Sequence, residues 1–228
     1  MQKFLRHPRH FRSFIFVPIV FSLVACSLVP RIPTVSDPRL EALVVQEAGP
    51  IIAVTADRDN VSQYSFYLSD FPRKDILGLS TGNRRIYISY RLAQYAAQNP
   101  PNIWLLRQTL AHEIAHEIKG HVSGTGTTSF NRSATGSGVT GTDVGLSPLV
   151  KFRTYPVEKE LEADLEGMKY WSRLHWDCRI WVGILQGFEQ QNYAGDSLHP
   201  TGERLKQAIG ACAANSQNAI QNSSLPVR

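Results

Sequence analysis

Apolar positions along the chain fall into a few periodic runs, and each run predicts an element. Leu40 to Ala48 has helical spacing, and Gly49-Pro50 reads as its stop. Val61 to Leu68 and Arg85 to Tyr90 are rich in β-branched and aromatic residues and predict strands. In Arg85-Ile86-Tyr87-Ile88-Ser89-Tyr90 polar and apolar residues partly alternate, as in a half-buried strand. Such a strand either lies at a sheet edge and pairs with an extended polypeptide, or is ordinary sheet packing. Leu92 to Gln98 predicts a helix ended by Asn99-Pro100-Pro101, and a longer helix is expected from about Asn102 to Lys119, closed by Gly120. On that helix Ile103, Leu106, Leu110, Ile114 and Ile118 make one apolar stripe, whereas His112, Glu113 and His116 share another side. Helical patterns return from Val157 to about His175, around Trp181 to Gln190, and from Pro200 to about Ala213. The expected fold is α+β, mainly helical with a small sheet beside the long helix.

Ser123 to Ser147 is rich in Gly, Ser and Thr and reads as a loop, either a lid or an insertion without a catalytic role. The tail from Asn215 is polar and expected to fray. At the other end, Lys3, Arg6, Arg9 and Arg12 precede an apolar run from Phe14 to Ala25, too short for the roughly 20 residues that span a bilayer, which is the pattern of an export signal. The chain of 228 residues holds 24 Lys and Arg against 19 Asp and Glu, but without residues 1–25 the balance is 20 to 19. The basic character is therefore a targeting feature, and with no Gly-rich phosphate loop or aromatic-basic stripe, neither nucleic acid nor nucleotide is an expected partner.

The end of the signal, Leu23-Val24-Ala25-Cys26, resembles the bacterial lipobox, and the resemblance implies a lipid anchor on Cys26; the plainer readings are an ordinary cleaved signal or an uncleaved anchor. Ser27 after the Cys implies the outer membrane, facing the periplasm. Residues 26–38, with Pro30, Pro33 and Pro38, form a tether, and 39–214 are left as one domain. In that oxidising compartment Cys178 and Cys212 are expected to pair, the alternative being two unrelated buried thiols.

The chemistry lies in His112-Glu113-Ile114-Ala115-His116. Histidines one helical turn apart can reach one Zn²⁺, and the Glu beside the first can take a proton from water and pass it to a leaving amine. A catalytic zinc needs a third protein ligand and an open position, and Glu158, Glu160, Glu162 and Glu166 are candidates, unless they are merely a solvated acidic face. Glu160 is preferred because Asp164 follows one turn later, placed to accept the N–H of a ligand histidine. His121, just past the helix, and His175, among Trp171, Trp176 and Cys178, are read as structural, His175 as a packed histidine.

Three ordered motifs, His112 to His116, Glu160-Leu161-Glu162-Ala163-Asp164, and His199-Pro200 with Arg204, resemble the HtpX and CAAX-prenyl-protease type of gluzincin zinc metallopeptidases, including its soluble periplasmic lipoprotein members. The resemblance implies His112, His116 and Glu160 as zinc ligands, Glu113 as catalytic, Asp164 as support to a ligand, and a polypeptide substrate. It also implies oxyanion stabilisation by His199 and Arg204, or a histidine that plugs the zinc, in which case the protein works mainly as a chaperone or assembly factor. A lipoprotein with no metal is the remaining rival. The membrane-embedded relatives have several spanning helices that the mature chain lacks, so an envelope protein is expected as substrate rather than a prenylated one.

Overall fold

The computed structural model describes residues 32–122, 155–191 and 201–223, with side chains as far as 214. Cys26, His199 and the loop expected at 123–147 lie outside the described residues. Helix α1 (Pro38–Ala53) opens with Asp37, whose carboxylate accepts the Leu40 N–H at 3.2 Å, and with Pro38 in the first turn, where its missing N–H costs nothing. The helix runs through Gly49-Pro50, where a stop was expected. An interior proline costs about 3 kcal/mol. Beside it Ala48, Ile51 and Ile52 are at most 1% exposed, and burying the two isoleucines offsets that cost at roughly 1.5–3 kcal/mol each.

Val61 to Gln63 end a 3₁₀ turn (Arg58–Gln63), so the first strand, β1 (Ser65–Ser69), is shorter than expected. β2 (Gly78–Ser80) and β3 (Arg85–Ser89) complete a sheet of order β1-β3-β2. β1 runs parallel to β3, with Leu68 opposite Ile88, and β2 runs antiparallel to it, with Leu79 opposite Tyr87. β3 is thus the central strand. The edge-strand reading of Arg85 to Tyr90 is overturned, because β1 and β2 occupy both of its sides, and Tyr90 already belongs to the next helix. Ile86 and Ile88 of β3 are fully buried on one face, while Tyr87 stacks on Tyr67 at 4.9 Å on the other.

The β2–β3 turn is built on three successive positive φ angles, Gly82 at 85°, Asn83 at 55° and Arg84 at 57°. Two of these are not glycine and carry strain that needs compensation. The Glu117 carboxylate supplies it, accepting the Gly82 N–H at 2.8 Å, the Arg84 N–H at 3.0 Å and the Ser80 hydroxyl.

Glu117 belongs to α3 (Ile103–Ile118), which follows α2 (Tyr90–Gln98) and forms the middle of the molecule. Leu106, Leu110, Ala111, Ile114 and Ala115 are all at 0% exposure, so α3 is buried around much of its circumference rather than along one stripe. α1, α2 and β2 pack on it, and from the other side so does α4 (Val157–Arg173). Gly167 makes that last approach close: a Cβ there would stand 3.4 Å from the Ala111 carbonyl and 2.7 Å from Trp181 Cη2. Helices α5 (Cys178–Gln190) and α6 (Thr201–Ser223) close this side. They are tied together at Cys178 and Cys212, whose Cα atoms are 5.5 Å apart and whose sulfurs meet at bonding distance. α6 continues past Asn215, where fraying was expected. The arrangement is α+β, mostly helical with one small sheet. No helix among the described residues is long and apolar enough to cross a membrane.

Candidate metal centre

Three residues expected as ligands come together. His112 and His116, one turn apart on α3, and Glu160 in the first turn of α4 each turn one atom toward a common point, and all three are buried. His112 Nε2 lies 3.1 Å from His116 Nε2 and 3.0 Å from Glu160 Oε2, and the third side of the triangle, His116 Nε2 to Glu160 Oε2, is 3.6 Å. Tetrahedral ligands about 2.0–2.1 Å from one ion stand about 3.3–3.4 Å from each other, so the triangle has the size of one face of such a site. The group can hold a metal ion.

Electrostatics point the same way. Burial opposes charge on His112, but hydrogen bonds to Asp164 and Glu160 outweigh it and push the imidazole up to about 10. His116 goes the other way, pushed down to about 4 by burial and by the neighbouring His112, against the pull of Glu160. The cradle therefore favours one positive charge between the rings, which a metal cation could supply in place of a proton.

The support around the triangle is as specific. Asp164 Oδ1 accepts from His112 Nδ1 at 2.9 Å, so with a metal ion in place of the Nε2 proton the ring would present its Nε2 lone pair to the common point. Burial alone would raise the Asp164 carboxyl, yet Arg204 and His112 hold it far below the usual carboxylate range. Arg204, on α6, donates from Nε and Nη2 to the two Asp164 oxygens at 2.6 and 2.8 Å. Expected beside an oxyanion, Arg204 stands here as the brace of Asp164. Of the other acidic candidates on α4, Glu162 accepts from His121 rather than joining the triangle, and Glu166 pairs with Lys169.

Glu113 is buried at 7% exposure, one residue after His112, with its side chain against the edge strand. A Cβ on Gly78 of β2 would stand 2.8 Å from Glu113 Cγ and 3.0 Å from Oε1. Only a residue without a side chain lets β2 pass so close to this carboxylate.

Sequence reasoning passed over three residues. Tyr155 stacks on the His116 ring at 4.1 Å and donates its hydroxyl to the Ser80 carbonyl at 3.2 Å, joining a candidate ligand to the edge strand. Nothing in its neighbourhood in the chain announces that. Gly78 sits in a strand too short to show a period. His121, set aside as structural, is buried at 4% with Nδ1 3.0 Å from His116 Nδ1. Its signal was legible in Gly120, whose φ of +63° turns the chain back over the last turn of α3. His175, expected to be packed, is instead exposed at the end of α4 with φ of +57°.

Comparison with known protein-family models gives no match, and none is found among curated proteins.

Proposed function

We propose that this chain is a zinc-dependent endopeptidase. The observation that carries the reading is the triangle of His112, His116 and Glu160 at tetrahedral spacing, with Glu113, the residue after His112, buried against Gly78 of β2. Three protein donors, two imidazoles and a carboxylate, are the set of a catalytic rather than a structural zinc, since they leave a position for water or substrate. Bound there, zinc supplies Lewis acidity toward a peptide carbonyl and toward water. The chain's own groups do the rest. Glu113 takes a proton from the attacking water on a carboxylate oxygen and returns it to the leaving amine nitrogen. Asp164 and Arg204 keep His112 in the tautomer that leaves Nε2 unprotonated. β2 is an edge strand of the sheet among the described residues, antiparallel to β3 and beside α3, and an extended polypeptide could lie along it. With the export signal and Cys26, this reading makes the protein a lipid-anchored peptidase of the bacterial envelope that degrades misfolded exported proteins.

The test is metal content and proteolysis together. Dialysed protein is expected to retain one zinc per chain and to hydrolyse casein. Glu113→Gln is expected to retain the zinc and lose about 10²–10⁴-fold in rate, because the amide cannot accept the proton. Equal activity in the two proteins would remove Glu113 from the chemistry, and a folded wild type without metal would remove the reading altogether.

A further inference from the structure

His112 has its Nδ1 engaged by a buried acceptor, Asp164, which is itself held by a cation, Arg204. His116 has a counterpart on its own Nδ1. His121 Nδ1 lies 3.0 Å away, His121 Nε2 lies 3.1 Å from Glu162 Oε2, and Lys119 Nζ is 2.7 Å from Glu162 Oε1. The backbone puts His121 there. α3 ends in a reversal in which the Gly120 N–H bonds to the Glu117 carbonyl at 3.1 Å and the His121 N–H to the His116 carbonyl at 3.0 Å. This motif brings the third residue after the helix back onto the residue five before it. At the end of α4 the same pair of bonds, His175 to Ser172 and Trp176 to Trp171, closes an ordinary apolar contact between two tryptophan rings at 4.8 Å. At the end of α3 the contact is between two imidazoles.

The hydrogens admit one arrangement that suits a metal ligand. The Glu162 carboxylate can only accept, so His121 carries its proton on Nε2 and leaves Nδ1 as an acceptor. His116 then carries its proton on Nδ1, and its Nε2 lone pair faces His112 and Glu160. The opposite tautomer of His121 would set a lone pair against the carboxylate and force a proton onto His116 Nε2, at the point where the three donor atoms converge. We infer that His121 and Glu162 are a positioning pair that fixes the ring and tautomer of His116 for metal binding. This rests on the metal reading of the site, and it adds residues to it that the five-residue motif does not contain.

Zinc affinity, measured by competition with a chromophoric chelator, tests it. His121→Phe keeps a ring but cannot accept a hydrogen bond, and is expected to weaken zinc binding 10–100-fold; His121→Asn, whose Oδ1 can accept the hydrogen bond that Nδ1 did, is expected to stay within about fivefold of wild type. Glu162→Gln, at a half-exposed position where folding is not in question, is expected to lose about three- to tenfold. Ring ¹⁵N–¹H correlation spectra of the zinc-loaded wild type are expected to show protons on His116 Nδ1 and His121 Nε2. Wild-type affinity in both His121→Phe and Glu162→Gln, or a proton on His121 Nδ1, overturns the positioning role and leaves the metal site standing. Failure of the folded wild type to bind zinc overturns the metal reading instead.

Discussion

Gly78→Ala puts a methyl group where the structure has no room for it. The new Cβ would stand 2.7 Å from Thr109 Cγ2 and 2.8 Å from Glu113 Cγ, both nearer than carbon atoms approach. Neither neighbour yields freely. Thr109 is buried, and turning it breaks its hydroxyl bond to the Leu105 carbonyl at 3.0 Å, worth about 0.5–1.5 kcal/mol. Moving Glu113 instead shifts its carboxylate by on the order of 1 Å, a displacement that costs about 10²-fold in a positioned reaction. Overpacking by one methyl costs about 1–3 kcal/mol, against which the stiffer unfolded chain returns about 0.4–1 kcal/mol. The expected outcome is a melting temperature lower by about 2–8 °C and kcat/KM on a quenched casein substrate lower by about 10²-fold, with zinc content unchanged. Gly183→Ala is the control: it lies in α5 with nothing within 4 Å of the added carbon, and it is expected to stabilise by about 0.5–1 kcal/mol. Gly78→Ala with wild-type kcat/KM and an unchanged melting temperature would refute the argument that β2 and Glu113 share this space.

Two further substitutions probe the charges around the site. Arg204→Met leaves Asp164, 1% exposed, without its bidentate partner; the expected loss is about 3–5 kcal/mol in urea unfolding, much of it recovered in the double variant with Asp164→Asn, and a loss under about 0.5 kcal/mol would show that the pair is not a brace. Asp57 is pulled from 3.8 to about 2, chiefly by the Arg84 guanidinium, which stands at the strained β2–β3 turn. A depressed carboxyl contributes stability that is fully present above about pH 4 and is lost as pH falls through 2. Because both side chains reach solvent, the contribution is about 1 kcal/mol rather than the full value of the shift. The stability difference between wild type and Asp57→Asn is expected to shrink between pH 5 and pH 2, and a flat difference would contradict the assignment.

What could be read from the sequence followed the range of the physics behind it. Helices α2 to α5 announce themselves through runs of 3.6-residue periodicity and through stops such as Asn99-Pro100-Pro101 and Gly120, so their existence and approximate ends were legible. The two halves of the triangle were legible too, because the i, i+4 spacing of His112 and His116 and the one-turn offset from Glu160 to Asp164 are local geometry, while their meeting was implied only by the family resemblance. Contacts made across the fold were not. Whether β3 is central depends on a three-residue partner with no periodicity of its own. Whether Pro50 ends α1 depends on how deeply Ile51 and Ile52 are buried, which only the packed molecule decides. Tyr155, Gly78 and Glu117 owe their roles to residues 30 or more positions away. His121 is the intermediate case: the reversal at Gly120 was visible, but reading it required asking what a helix end does with the side chain that it folds back.

That helix end explains why the edge strand and the metal point belong to one rigid unit. His116 supplies a donor atom, and the next residue, Glu117, holds the β2–β3 turn through two backbone N–H groups and the Ser80 hydroxyl. Tyr155 closes the same loop from outside, with its ring on His116 and its hydroxyl on the Ser80 carbonyl. A helix terminus ordinarily frays, since its last carbonyls lack partners. Here Lys119, Gly120 and His121 satisfy the carbonyls of Ala115, Glu117 and His116. The last turn is therefore fixed before any metal binds. A substrate strand laid along β2 would then be set relative to the metal by two adjacent residues of a single helical turn, and not by a loop whose position could drift. If the chain is the peptidase proposed, so short a path from β2 to the metal would meet the demand of proximity, because errors of about 1 Å at the reacting atoms cost about 10²-fold in rate.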